Sequence, residues 1–406
     1  MHSVNSSYAT IPQAAIVRKC QTAPSRATMR GQVIAILLDS APQTWRSTEE
    51  LLLRFSRALI ARGVRPVLVF SEDPPTEVRQ RFRAHGIEVP PAINYEKSLF
   101  SYYRALGRIV RKYSVTAVHI MFFNYFSLIP WMARLRGVHY IVHHERNSGT
   151  LKAQSWKKKL LRLRTWVITQ PITRVVVISE YLKQQLAEAG LPQHKIRVVH
   201  HGIDTRRFSP DRSARARLAA EFSIPPDEVI LSTVSYLRPF KNPQVIVQAC
   251  ALLAQRGVAA RLFVAGDGDM RPELEALCRQ LGVTDRIHWL GDVPDPTPLL
   301  QGCDIYVMAS VGEAFGMALA EAMACGAAVV ASRSGAFAEI VEDGKSGLLV
   351  PPLDPFALAD AIQKLAQDND LRSSLARNGV ERVQCYFTAD GSINKILNVF
   401  ESMWAE

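Results

Sequence analysis

The sequence predicts an α/β protein built from two doubly wound domains in tandem. Three observations carry this expectation. Short apolar runs alternate with amphipathic stretches, the alternation restarts near residue 196, and the charge balance reverses at the same point. The chain has 406 residues, more than one ordinary domain holds. Hydrophobic residues make up 48% and charged residues 21%, so sizeable cores can form and wholesale disorder is excluded.

Taken in order, residues 1–30 are rich in Ser, Thr and Ala and carry Arg18, Lys19, Arg26 and Arg30. They lack the apolar stretch of a secretion signal, so a flexible basic arm is expected. A first domain over 31–195 opens with the buried-strand run VIAILL (33–38). Ser47-Thr48-Glu49-Glu50 then starts a helix, with Ser47 and Glu50 at capping-box spacing. RPVLVF (65–70), TAVHIM (116–121), HYIVHH (139–144) and RVVVIS (174–179) read as further strands. A second domain over 196–385 begins with IRVVHHG (196–202). It continues through VILSTV (229–234), RLFVAG (261–266), RIHWLG (286–291), DIYVMA (304–309) and AVVAS (328–332). A last helix, from about Ala389 to Met403, falls in the C-terminal segment 386–406. The longest run free of Asp, Glu, Lys and Arg, Tyr113 to Ala133, is interrupted by His119, Asn124 and Pro130 and makes a poor membrane span. Two such domains should face each other across a cleft, with ligands beyond the carboxyl ends of the strands.

Up to Lys195 the chain holds 29 Lys and Arg against 11 Asp and Glu, a net +18, whereas the remainder is net −6. The basic half therefore seeks an anionic partner, nucleic acid or a phospholipid surface. The six cysteines are scattered without a CxxC pair, which points to neither a zinc site nor a disulfide framework and fits a reducing compartment.

The chemistry-bearing residues cluster after strands. In EAFGMALAE (313–321), Gly316 turns the backbone and a helix runs from Met317 to Cys325, stopped by Gly326. Free N–H groups at Gly316 to Leu319 can hold a phosphate, with Glu313 in front of them. Glu321 lies deeper on an otherwise apolar helix and needs donors, either ligand hydroxyls or a distant arginine. In VSYLRPFKN (234–242), Arg238 and Lys241 suit a diphosphate, or form a solvated surface pair. VAGDGDM (264–270) offers Gly266 and Gly268, but Arg271 stands where a dinucleotide fingerprint needs glycine. A tight turn near a nucleoside, or a purely structural turn, fits instead. SGAFAEIVEDGKSGLLVPP (334–352) is mostly turn chemistry, with Glu339 a modest site candidate.

In the basic half, HYIVHHERN (139–147) ends a strand with His143, His144, Glu145 and Arg146, a catalytic candidate or a core cluster. WKKKLLRLRTW (156–166) alternates Lys157, Lys158, Lys159, Arg162 and Arg164 with leucines between Trp156 and Trp166. It reads as a membrane-surface helix or as a solvated face.

Together these motifs resemble the family 4 retaining nucleotide-sugar glycosyltransferases, closely over 196–385 and more loosely over 30–195. Glu313, Phe315, Gly316 and Glu321 match the family's paired-glutamate motif. HGIDTRRFSP (201–210), VAGDGDMRPELEAL, WLGDVPD and GAFAEIVEDGKSGLLV match others. The resemblance implies the GT-B fold, two Rossmann-like domains across a cleft, with the last helix crossing back to the first domain. It implies a catalytic set of Glu313, Lys241 and one of His143 or His144. Glu313 would contact hexose hydroxyls and Glu321 ribose hydroxyls. The donor wall would include Arg238, Lys241, Gly266, Gly268, Val293 and the segment Phe315, Gly316, Met317, Ala318 and Leu319. No metal or other cofactor is implied, the donor being a UDP- or GDP-sugar. Two places depart from the pattern. Ser235-Tyr236-Leu237 stands where the family has Gly-Arg-Leu, and Arg46-Ser47-Thr48-Glu49 replaces a glycine-rich turn. The expected function is hexosyl transfer to a lipid-linked or other glycan acceptor in cell-envelope or exopolysaccharide synthesis. It would take place at the inner, cytoplasmic membrane face without nucleic acid. The alternative is a catalytically weak nucleotide-sugar-binding or scaffold protein.

Overall fold

The computed structural model describes residues 29–39, 47–123, 127–146 and 158–405. The predicted N-terminal arm up to residue 28, Arg46, Trp156 and Lys157 lie outside them. Twelve strands are described: β1 (Val33–Leu38), β2 (Arg65–Phe70), β3 (Ala117–Met121), β4 (Tyr140–Glu145), β5 (Arg174–Val177), β6 (Ile196–Val198), β7 (Val229–Val234), β8 (Ala260–Ala265), β9 (Ile287–Gly291), β10 (Ile305–Met308), β11 (Ala328–Ser332) and β12 (Leu348–Val350). They form two six-stranded parallel sheets, ordered β2-β1-β3-β4-β5-β6 and β12-β11-β10-β7-β8-β9. The strands are buried runs of Val, Ile, Leu and Ala because helices cover both faces.

One boundary differs from the sequence reading. IRV was expected to open the second domain, yet β6 pairs in parallel with β5 and closes the first sheet. Its three ladder pairs complete an edge that a local apolar pattern cannot assign to either sheet. The short β12, unforeseen, borders β11.

The chain passes between domains at two places, and they are tied together. Ile203 N–H donates to Phe387 O at 2.7 Å, and Ala389 N–H to Ile203 O at 2.8 Å. Gly202 is required there, since a Cβ would lie 2.5 Å from Ala389 Cα. Helix Ala389–Ala405 then crosses to the first domain, as the resemblance implies. Ile393, Leu397, Phe400 and Met403 pack with Leu52 and Phe55 of helix Ser47–Ile60. Arg54 of that helix reaches Asp204 at 3.0 Å and Asp390 at 3.3 Å, one carboxylate from each crossing.

Candidate active site

In the second sheet the strand order reverses between β7 and β10, so a crevice opens at their carboxyl ends. The two loops leaving these strands carry the predicted motifs. After β7 the chain turns through Pro239–Lys241 into helix Pro243–Gln255. Asn242, at φ 50°, reaches back from this turn to Ala309 O at 3.3 Å. Val311 N–H donates to Phe240 O at 2.9 Å, so the two loops are held side by side. The Glu313 backbone is braced from behind: Glu313 O accepts from Ala336 N–H at 3.0 Å, and Gly312 N–H donates to Ser334 Oγ at 3.1 Å. This places Lys241 Nζ against Glu313 Oε1 as a largely buried ion pair.

Gly316 caps helix Met317–Cys325 with φ 107°, and a Cβ there would fall 2.5 Å from the Phe337 ring. No side chain caps the helix, so its first-turn amides and the positive end of its dipole face the crevice. The helix ends at Gly326 in the left-handed region, as predicted.

Glu321 stands half-buried at the back. Burial raises its pKa to about 7, opposed by Arg207 and reinforced by Asp295. Arg207, the arginine whose charge acts on it, pairs with Asp295 at 2.7 Å. Glu321 has no ion-pair partner among the described residues.

These groups line one cavity of about 560 Å³ between the domains. Of the predicted residues, its wall holds Lys241, Gly266, Val293, Glu313, Phe315, Gly316, Met317, Ala318 and Glu321. Five others lie outside it. Arg238 is exposed and stacks on Tyr236, 5.6 Å from the ring centroid. Gly268 packs beneath the Leu237 backbone, and Leu319 points into the core. His143 and His144 are buried in β4. His144 stacks on His119 at 5.6 Å, and burial holds both rings neutral, His119 at about 3. His143 turns to the opposite face, 3.6 Å from Glu145. The strand end does reach the cavity, but through Arg146, joined there by His201. The signal for Arg146 was a charged side chain one residue beyond a buried strand. Alternation alone could not rank it above two histidines.

Glu339 has another role than the site one considered. Its carboxylate accepts from Glu180 N–H and Tyr181 N–H, both at 2.8 Å, and lies 2.9 Å from His200 Nε2. A second-domain side chain thus caps helix Glu180–Glu188 of the first domain.

Two family models match the chain, glycosyl transferases group 1 over residues 215–382 and glycosyltransferase family 4 over 48–207. The chain belongs to these glycosyltransferases. It is 34% identical over 223 residues to the D-inositol 3-phosphate glycosyltransferase of Salinispora arenicola, covering 51% of this chain and 49% of that one. It is 29% identical over 248 residues to an uncharacterised glycosyltransferase of Methanocaldococcus jannaschii, 60% of this chain and 63% of that one. The chain thus spans 49% and 63% of the length of these curated relatives, less than two thirds of either. The crystal structure of HepE from Anabaena in complex with UDP-glucose superposes with a TM-score of 0.74 at 20% identity, covering 91% of this chain and 99% of that one. At that identity the likeness establishes the fold, GT-B.

Proposed function

We propose that this glycosyltransferase is a retaining, metal-independent enzyme that moves a hexose-type sugar from a UDP- or GDP-linked donor to an acceptor. The observation that carries the reading is the single cavity holding Lys241, the uncapped helix N-terminus, Glu313 and Glu321. HepE, which shares the fold, binds UDP-glucose, and this supports a nucleotide-sugar donor. Glu321 takes the ribose hydroxyls. The helix amides and Lys241 take the diphosphate. Glu313 takes sugar hydroxyls, so ligand entry exchanges the Lys241–Glu313 pair for two ligand contacts. In the transfer, the bond from the sugar's anomeric carbon to the diphosphate breaks. A bond to the acceptor oxygen forms on the same face, and the acceptor proton passes to the leaving diphosphate. Lys241 and the helix dipole stabilise the charge that develops on that leaving group.

A panel of nucleotide sugars, read by the nucleoside diphosphate released, tests this. Lys241→Ala and Glu313→Ala should each lower release by about 100-fold or more, the scale for losing one preorganised charged group. Full activity in both variants overturns the assignment. Tyr236 in the place of the family's arginine favours one other reading, a nucleotide-sugar-binding protein without turnover, which would bind the donor and release nothing.

The acceptor is proposed to be lipid-linked, reached from the inner face of the membrane. No described helix is long and apolar enough to cross a membrane. Helix Lys158–Thr169 instead turns Leu163, Trp166 and Val167 outward at 58%, 52% and 43% exposure, beside Arg162 and Arg164. Its buried side carries Thr165, Ile168 and Thr169. Apolar and cationic side chains sharing an outer face suit an anionic lipid surface.

A further inference from the structure

Opposite helix Met317–Cys325 the cavity wall belongs to the first domain, and Arg146 is its cation. Arg146 also lines a second cavity of about 740 Å³, which shares His201, Asp292, Val293, Met317 and Glu321 with the first and opens toward helix Ser47–Ile60. Its guanidinium rests on the Phe122 ring, 4.9 Å from the centroid, and contacts His201 Nε2. Neither neighbour is negative. His201 is held neutral by burial and by the Arg146 charge itself. Glu145, the adjacent carboxylate, receives the Arg146 backbone N–H at 3.0 Å rather than the guanidinium. Among the described residues no carboxylate pairs with the Arg146 side chain. Lys241, across the cavity, is by contrast paired with Glu313.

Burial lowers Arg146 only to about 10, so the side chain remains a cation near neutral pH. A desolvated cation without a counter-ion is costly to hold. A ring face and a neutral imidazole orient it without cancelling its charge. Its fork is therefore preserved for an anion that enters the cavity.

We propose that Arg146 is the first domain's ligand for the donor diphosphate, completing from across the cleft the anion site begun by Lys241 and the N-terminus of helix Met317–Cys325. The inference rests on the nucleotide-sugar reading above. It assigns the missing second phosphate cation to the opposite domain, since Arg238 lies outside the wall. It also makes the diphosphate a bridge between the domains.

Calorimetric titration of the full chain with UDP, uridine, GDP and guanosine tests it, using wild type, Arg146→Gln and Arg146→Lys. For the nucleotide that wild type binds, Arg146→Gln should weaken the diphosphate about 10- to 100-fold and change the nucleoside by less than about twofold. Arg146→Lys should recover part of the loss. Parallel loss of nucleoside and diphosphate affinity marks a structural residue and overturns the proposal. Unchanged diphosphate affinity, as expected if Arg146 served only an acceptor anion, overturns it as well. Wild type that binds neither UDP nor GDP rejects the nucleotide-sugar reading itself and this proposal with it.

Discussion

At the residue scale, Glu321 shows how burial tunes a carboxylate. Sequence logic left it between ligand hydroxyls and an arginine. In the structure Arg207 pairs with Asp295, and burial leaves Glu321 with a pKa near 7. Hydroxyl donors favour the ionised carboxylate, so binding must displace the proton held below that pH. Affinity for a nucleotide sugar such as UDP-glucose, whose diphosphate does not titrate in this range, should therefore rise from pH 5.5 to about 8. The slope is at most about tenfold per pH unit. Glu321→Gln should bind more weakly with a flat profile. A slope that survives in that variant removes Glu321 from the ribose subsite. The paired glutamates, Lys241 and Gly316 were legible because each sits at a fixed offset from a strand end. Arg146 was not, because its distinction is the lack of a carboxylate partner among the described residues, and that is a fact about neighbours distant in sequence.

At the element scale, helix Met317–Cys325 formed where its punctuation placed it, with glycines in left-handed backbone at both ends. Those signals are local, so sequence carries them. Helix Lys158–Thr169 was legible only as basic and amphipathic, which left a solvated face as the other reading. What the structure adds is direction: the apolar Leu163, Trp166 and Val167 point away from the core. If this face meets lipid, the protein should float with vesicles containing anionic phospholipid and much less with zwitterionic ones. Trp166→Glu should abolish flotation while leaving release of nucleoside diphosphate from a soluble donor intact. Flotation that survives Trp166→Glu places the contact elsewhere. β6 shows the opposite limit: three residues of apolar alternation identify a strand but not its sheet.

At the scale of the whole molecule, the two domains are joined by more than the chain crossings. Glu339 from the second domain caps helix Glu180–Glu188 and meets His200, whose ring lies 6.2 Å from Phe315 in the loop before helix Met317–Cys325. Glu339→Ala leaves two backbone donors unsatisfied across that contact. It should lower unfolding free energy by about 2 kcal/mol in urea titration and expand the molecule in small-angle scattering. An unchanged radius of gyration would show that the crossings alone set the interdomain geometry. By itself the sequence determined the α/β class, the two-domain organisation and the residues that follow each strand. Periodicity and turn chemistry act within a few positions of the chain, so they can be read without a structure. Only the tertiary structure decided which strand ends share a crevice, to which sheet β6 belongs, and which cation there stands without a carboxylate partner among the described residues. Sheet order and burial are set by contacts between residues tens to hundreds of positions apart, and no local pattern records them.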